Sequence, residues 1–168
     1  MTTFVVSPYS PEWPKLFEAI REELLLAFSP TVVAIEHIGS TSVRGLAAKP
    51  VIDVVLGAGS LADIESRIKP LGDLGYAYVS KYEDELPMRR YFVKSPADSL
   101  RIHVHGVEHG SRLWQEHLAF RDALRADEGL RSRYQDLKLR LSEEFAHDKS
   151  AYTAAKSPFI QSVLRGKQ

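Results

Sequence analysis

The sequence predicts an α/β (α+β) fold, with a small mixed sheet, helices packed on one face and a helical C-terminal part. Two observations lead to this class. In the first part of the chain, helical periodicity alternates with short β-branched runs, which is typical of strands separated by helices. From Ser111 onward, apolar residues recur only at helical spacing. A length of 168 residues suits one complete core, so we expect a single domain over 1–168.

The N-terminal elements follow from capping residues and side-chain type. The first helix is predicted to begin at Ser10-Pro11 and to end near Ser29-Pro30, because Ser caps a helix and Pro suits its first turn. The β-branched run 31–38 is predicted to be a strand. A loop with one helical turn follows it. The run 51–56 is apolar on both faces except at Asp53, which indicates a central strand carrying one acidic position.

The later elements are read from turn residues and periodicity. They are a helix capped by Ser60 and closed by Gly72 and Gly75, short strands at 76–80, 90–94 and 101–107, two amphipathic helices between Ser111 and Phe145, and a short final helix from Ser157-Pro158.

Charge and composition exclude several classes of function. Lys plus Arg and Asp plus Glu number 22 each, so no overall basic field attracts bulk nucleic acid. The absence of Cys removes disulfides, thiolate metal sites and a Cys nucleophile. No apolar run is long enough to span a membrane and no basic-then-apolar leader opens the sequence, so we expect a cytoplasmic protein without a membrane partner. The sequence leaves the oligomeric state open.

A segment of small and hydroxylated residues after the first strand is the main candidate site. A turn of this kind lets backbone N–H groups approach an anion, so it can hold a phosphate. The phosphate ligands expected here are Gly39, Ser40, Thr41, Ser42 and, after the turn, Lys49. Asp53 lies on the next strand, where it can face the turn and hold a metal bound to the same phosphates. The alternative is an ordinary capped turn, with Asp53 neutralising a nearby cation.

The run from His37 to Asp53, HIGSTSVRGLAAKPVID, resembles the signature of the GrpB family, whose fold is similar to that of nucleotidyltransferases. Matching pieces recur from Tyr9 to Leu164. The wider superfamily has a Gly-Ser turn followed by Asp-x-Asp or Asp-x-Glu on the next strand. Gly39-Ser40 and Asp53 fit that pattern, whereas Val55 stands where the second acid belongs. Since residues two apart on a strand share a face, the chain lacks the partner carboxylate for a shared magnesium ion.

Two histidines in the strand 101–107 are further candidates for the site. Alternation places His103 and His105 on one face, where they can act as metal ligands or as a base beside Asp53. The expected cofactor is a divalent metal, magnesium first, with zinc or manganese as alternatives. The same pattern also fits the wetter face of a half-buried sheet.

Two more cations are expected to contact phosphate. Arg90 can form paired hydrogen bonds with an anion, and its alternative is a surface ion pair with the acidic residues at 83–85. Lys156 is a candidate phosphate ligand through the resemblance alone.

The predicted function is that of a nucleotidyltransferase-like protein that binds a nucleotide or another phosphorylated small molecule with a divalent metal. Its enzymatic form transfers a nucleotidyl group to a small acceptor, with Asp53, His103 and His105 as catalytic residues. The alternative that Val55 suggests is a non-catalytic binding or accessory module that has lost the second metal carboxylate. A third alternative is an interaction protein that works through its C-terminal helices.

Overall fold

The structure is a computed structural model that describes residues 6–166, apart from the side chain of Lys149. The termini at 1–5 and 167–168, which the expected domain includes, lie outside the described residues. The helices are α1 (Glu12–Phe28), α2 (Leu61–Glu65), α3 (Ile68–Asp73), α4 (Arg112–Ala126), α5 (Glu128–Glu144), α6 (Lys149–Arg165) and a short 3-10 helix (Ser40–Ser42). The strands are β1 (Ala34–Ile38), β2 (Val51–Ala58), β3 (Ala77–Val79), β4 (Arg90–Lys94) and β5 (Arg101–Glu108).

The strands form one mixed sheet in the order β1-β2-β5-β4-β3, which confirms the predicted fold class. β2 and β5 pair in parallel, and the other neighbours pair antiparallel. In this register Asp53 lies opposite His103, while His105 lies opposite both Val55 and Tyr91. Directly opposed residues project from the same face, so these side chains share one side of the sheet.

The two faces of the sheet are covered differently. One face packs against α1, α2 and α3 and forms the main core, in which Leu24, Phe28 and Ile52 are fully buried. The opposite face carries Asp53 and the two histidines. There Trp114 of α4 packs on Val55 in a smaller apolar cluster, and the C-terminal helices cover part of the face.

Three predicted boundaries are wrong for local reasons. β1 begins at Ala34 rather than 31, because the chain leaving α1 first turns, with the Thr31 amide donating to the Phe28 carbonyl. The helix expected after Ser60 is split into α2 and α3. Pro70 has no amide to donate to the carbonyl of residue 66, and α2 ends at Glu65.

The final helix is also longer than predicted. It begins at Lys149 rather than Ser157, because the Asp148 side chain caps it by accepting from the Ala151 amide. Pro158, predicted to open the helix, lies inside it. Within 6–166, no helix combines the length and the apolar character needed to cross a membrane.

Candidate active site

The turn after β1 lies directly against Asp53. Gly39 has φ 74° and ψ 179°, a backbone conformation that is essentially restricted to glycine. A Cβ atom at Gly39 would lie 2.6 Å from Oδ2 of Asp53. The turn uses the amides of Ser42 and Val43 for its own hydrogen bonds, and in the described part of the chain the amides of Ser40 and Thr41 are not used in this way. Glycine therefore lets the turn approach the Asp53 carboxylate closely.

Asp53 is the centre of a polar cluster on β2 and β5. Its Oδ1 lies 3.4 Å from Nδ1 of His103 and 3.5 Å from Nε2 of His105. The carboxylate keeps 28% of its side-chain surface exposed, whereas the two imidazoles keep about half of that fraction. Burial opposes ionisation of Asp53, but hydrogen bonds from His103 and His105 hold its pKa below the ordinary value. Asp53 is therefore a stable carboxylate that accepts hydrogen bonds.

Arg89 fixes the protonation of His105. Its Nη1 lies 3.2 Å from Nδ1 of His105, and its guanidinium stacks on Tyr91 with the central carbon 4.5 Å from the ring centroid. Because arginine only donates, Nδ1 of His105 must accept and Nε2 carries the proton that faces Asp53. Burial, with the charge of Arg89 adding to it, lowers the pKa of His105. His105 is thus a neutral link between a cation and an anion.

A cavity of about 350 Å³ opens between this cluster and the C-terminal helices. The turn residues, Asp53 and His105 form one side. Leu113 and Phe120 of α4 and Ile160 and Leu164 of α6 contribute apolar surface to the other.

The charge of this cavity is negative. Among the lining residues in the described part of the chain, Asp53 and Glu116 are acidic and none is Lys or Arg. His117 also lines the cavity, and burial lowers its pKa to about 4, so it is neutral at pH 7. Burial raises the pKa of the Tyr134 phenol, and a hydrogen bond with the Ser40 hydroxyl partly opposes this shift. Tyr134 is therefore a neutral hydroxyl beside the turn.

Several residues expected to bind phosphate have other partners. The Thr41 hydroxyl donates to the carbonyl of Val51 and forms a hydrogen bond with Nε2 of His37. These two hydrogen bonds hold the turn to β2 and β1. The Ser42 hydroxyl donates to the carbonyl of Gly39 within the turn. Lys49 is exposed and is not among the residues that line the cavity.

Arg90 lies on the opposite side of the sheet from Asp53. It neighbours Tyr91 on β4, so the two side chains project from opposite faces. Its guanidinium lies 3.5 Å from Glu65 and 3.7 Å from Glu83. The structure therefore brings Arg89 to the site, and the ion pair named as the alternative for Arg90 is present.

Lys156 lies on the site's side of the molecule, in a cluster of buried groups. Its Nζ lies 4.8 Å from the ring centroid of Tyr152. Burial lowers its pKa, while the charge of Asp53 opposes this shift. Lys138 of α5 is also buried, and its Nζ donates to the carbonyl of Ala47 at 2.7 Å. Lys138 therefore holds the loop between the turn and β2.

The sequence analysis missed Tyr91, His117 and Lys138. Alternation in β4 shows only that Tyr91 and Arg90 face opposite sides of the sheet, and the register of β4 against β5 decides that Tyr91 faces His105. The positions of His117 and Lys138 depend on how α4 and α5 pack, and the sequence shows only charged helices there.

The residues present match a divalent metal only in part. No group of three His, Asp, Glu or Cys side chains within 6–166 could hold a metal ion. Both ring nitrogens of His105 already face protein partners. Asp53 alone fits the role of a carboxylate ligand to magnesium, which is commonly bound by one or two carboxylates together with substrate phosphates. The predicted metal set with His103 and His105 stays a prediction.

The family model, the related sequences and the solved structures all point to the same family. The family model described as GrpB protein matches residues 3–166. The glutamate-rich protein GrpB of Alkalihalophilus pseudofirmus is 31% identical over 164 residues, which covers 95% of this chain and 93% of that protein. The crystal structure of the conserved protein GrpB from Enterococcus faecalis is 31% identical with a TM-score of 0.87 and covers 96% of both chains.

A more distant likeness concerns the fold alone. The structure of a cytoplasmic RNA terminal U-transferase is 14% identical with a TM-score of 0.57, and the match covers 82% of this chain and 42% of that one. This likeness confirms the predicted nucleotidyltransferase-like fold. On the family model and the relatives together, the chain belongs to the GrpB family.

Proposed function

We propose that the cavity beside Asp53 binds a nucleotide, or another phosphorylated small molecule, together with a divalent cation. The observation that carries the proposal is the packing of the Gly39-Ser40 turn against Asp53 in the wall of a cavity of about 350 Å³. That volume suits a small organic ligand. Backbone donors of a turn suit phosphate oxygens, and the apolar side chains of α4 and α6 suit the rest of the ligand.

The charge of the cavity supports a cation that arrives with the ligand. A bare phosphate would meet Asp53 and Glu116 without a lysine or arginine among the lining residues of the described chain. Bringing like charges together in a partly desolvated space is unfavourable. A cation held between the phosphates and Asp53 removes this repulsion, and it does not require three protein ligands.

In the enzymatic form of the proposal, a nucleotidyl group passes to a small acceptor. The non-catalytic alternative stays a prediction that rests on Val55, which is fully buried against Trp114 and offers no second ligand. A pyrophosphate-release assay over a panel of acceptors separates the two. Release that depends on Asp53 supports transfer, and binding without release supports the binding module.

The test of binding is calorimetry and thermal melting with magnesium chloride alone, ATP alone and both together. We expect little binding of either alone and clear binding of both together. Occupancy at a hundred times Kd stabilises a protein by about 2.7 kcal/mol, which raises Tm by roughly 5–10 °C for a chain of this size.

Asp53→Asn is expected to abolish the effect of magnesium. Asp73→Asn is the matched control, because Asp73 is exposed and pairs only with the exposed Lys69 among its described neighbours. If magnesium alone binds as strongly as magnesium with ATP, or if Asp53→Asn binds the complex normally, the proposal is wrong. Manganese, zinc and other nucleotides in the same assay then define the preferred pair.

A further inference from the structure

The loop between the turn and β2 is held by side chains of helix α5. The side-chain oxygen of Gln135 accepts from the Ala47 amide at 2.9 Å, and Nζ of Lys138 donates to the Ala47 carbonyl at 2.7 Å. Gln135 and Lys138 are three residues apart on α5, so they project from the same side of the helix. The next loop residue, Ala48, pairs through both of its backbone groups with Ser7. Both backbone polar groups of Ala47 are therefore fixed by one helix.

Lys138 occupies a place in which a lysine is unfavourable. It is 2% exposed, and within 6–166 it forms no ion pair with a carboxylate. Burial first, and then the charge of Lys156, lowers its pKa to about 7. Fully buried lysines are rare unless they are paired, because the ammonium group loses its hydration. Stability alone does not explain this lysine, and residues that break a packing rule in this way are expected at functional sites.

The chain between the turn and Ala47 is packed against the C-terminal helices. Val43 and Leu46 are buried in an apolar cluster with side chains of α4, α5 and α6. At the end of the turn, Nε of Arg125 donates to the carbonyl of Ser42 at 3.0 Å. A short segment that is packed in this way has little freedom to move separately from its ends. A displacement of Ala47 is therefore passed on to the turn.

Tyr134 adds a contact on the cavity side of the turn. It lines the cavity, and its phenol forms a hydrogen bond with the Ser40 hydroxyl. Its ring stacks on Phe159 of α6 with a centroid distance of 5.3 Å, and it lies edge-on to Phe120 of α4. Helix α5 thus contacts the turn at Ser40 and the loop at Ala47, and both contacts depend on how α5 packs against its neighbouring helices.

We infer that Gln135 and Lys138 are positioning residues of the proposed ligand site. They hold the backbone of Ala47, and through it they set how the turn lies against Asp53. Neither side chain is among the residues that line the cavity, so both act through the loop and not by contact with the ligand. The inference rests on the function proposed above, because it concerns the same site.

The first test is the affinity for magnesium-ATP, measured by calorimetry on Gln135→Met and Lys138→Met. Each variant keeps a side chain of similar length but loses the hydrogen bond to Ala47. We expect each to weaken binding by roughly tenfold, since small displacements of binding groups are costly. Gln135→Glu keeps an acceptor for the Ala47 amide and should bind within about threefold of the parent. Tyr76→Phe is the control for a loss of stability, because it removes a hydrogen bond to Glu23 in the main core, and it should leave the affinity unchanged.

The second readout is the backbone amide resonances of Ser40 and Thr41, recorded by nuclear magnetic resonance without ligand. Gln135→Met and Lys138→Met should shift both resonances, and Tyr76→Phe should shift neither. A purely structural role would lower the melting temperature of the two variants and leave the resonances and the affinity unchanged. If the parent binds magnesium-ATP and either variant binds it as tightly, or if the resonances do not move, the inference is overturned while the proposed function stands. If the parent does not bind magnesium-ATP, the proposed function fails, and the resonances alone decide whether α5 positions the turn.

Discussion

Replacing Gly39 by alanine tests the close approach of the turn to Asp53. The backbone conformation of Gly39 costs a non-glycine residue about 1–3 kcal/mol. The new Cβ would lie 2.6 Å from Oδ2 of Asp53, so the carboxylate must move away from the two histidines. Each hydrogen bond lost adds about 0.5–1.5 kcal/mol. We expect Gly39→Ala to lower the free energy of unfolding by roughly 3 kcal/mol in total.

Urea denaturation measures this loss, and Gly45→Ala is the matched control. Gly45 also has a positive φ of 83°, but a Cβ there meets nothing within 4 Å, so only the backbone cost of about 1–2 kcal/mol applies. In an Asp53→Ala background the cost of Gly39→Ala should fall by on the order of 1 kcal/mol, because two of its three close atoms are gone. A loss for Gly39→Ala no larger than that for Gly45→Ala would refute the argument.

Three further predictions concern buried groups. Burial first, then the charge of Lys156, lowers the pKa of Lys138 from 10.5 to about 7, so the unfolded chain holds this proton over a pH range in which the folded chain does not. Stability should therefore rise by up to about 1.4 kcal/mol per pH unit above pH 7, and Lys138→Met should flatten this slope in urea denaturation at pH 7–9. Val55→Asp places a carboxylate in a fully buried position and should cost about 3 kcal/mol or more, and a variant as stable as the parent would show that this position is open to water. Arg89→Met removes a cation that disfavours protonation of His105, so the pKa of that imidazole, followed by NMR titration, should rise, and an unchanged pKa would contradict the assigned tautomer.

The sequence carries much of the fold because its signals are local. β-branched runs, capping serines and helical spacing predicted every strand to within a few residues, and among the helices they missed the break between α2 and α3 and the start of α6. Pro70 was present in the sequence, but its effect depends on where the helix has begun. Ser157-Pro158 resembles a helix start, and the real start at Lys149, capped by Asp148, was missed because Ser and Pro together gave the stronger local pattern.

In the candidate site too, residues marked by local sequence patterns were predicted, and residues placed only by packing were missed. The Gly39-Ser40 turn and Asp53 lie in one short segment of the sequence, so both could be predicted from it. The pairing of β2 with β5 brings His103 and His105 to Asp53. Arg89 was passed over for Arg90 because which side chain faces the site depends on the register of β4, and no local signal sets that register. Lys138 was missed since a lysine in a charged helix is ordinarily solvated, and only the packing of α5 on the loop at Ala47 buries it.

Helix α6 lines two separate cavities on this face of the sheet. Thr153 borders a cavity of about 390 Å³ beside His103, and Ile160 and Leu164 border the cavity beside Asp53. Pro158, which cannot donate a backbone hydrogen bond, stands between these two segments. A rigid-body shift of α6 would resize both compartments at once, so their occupancies would be thermodynamically linked. A bend confined to the proline would instead let each compartment adjust independently.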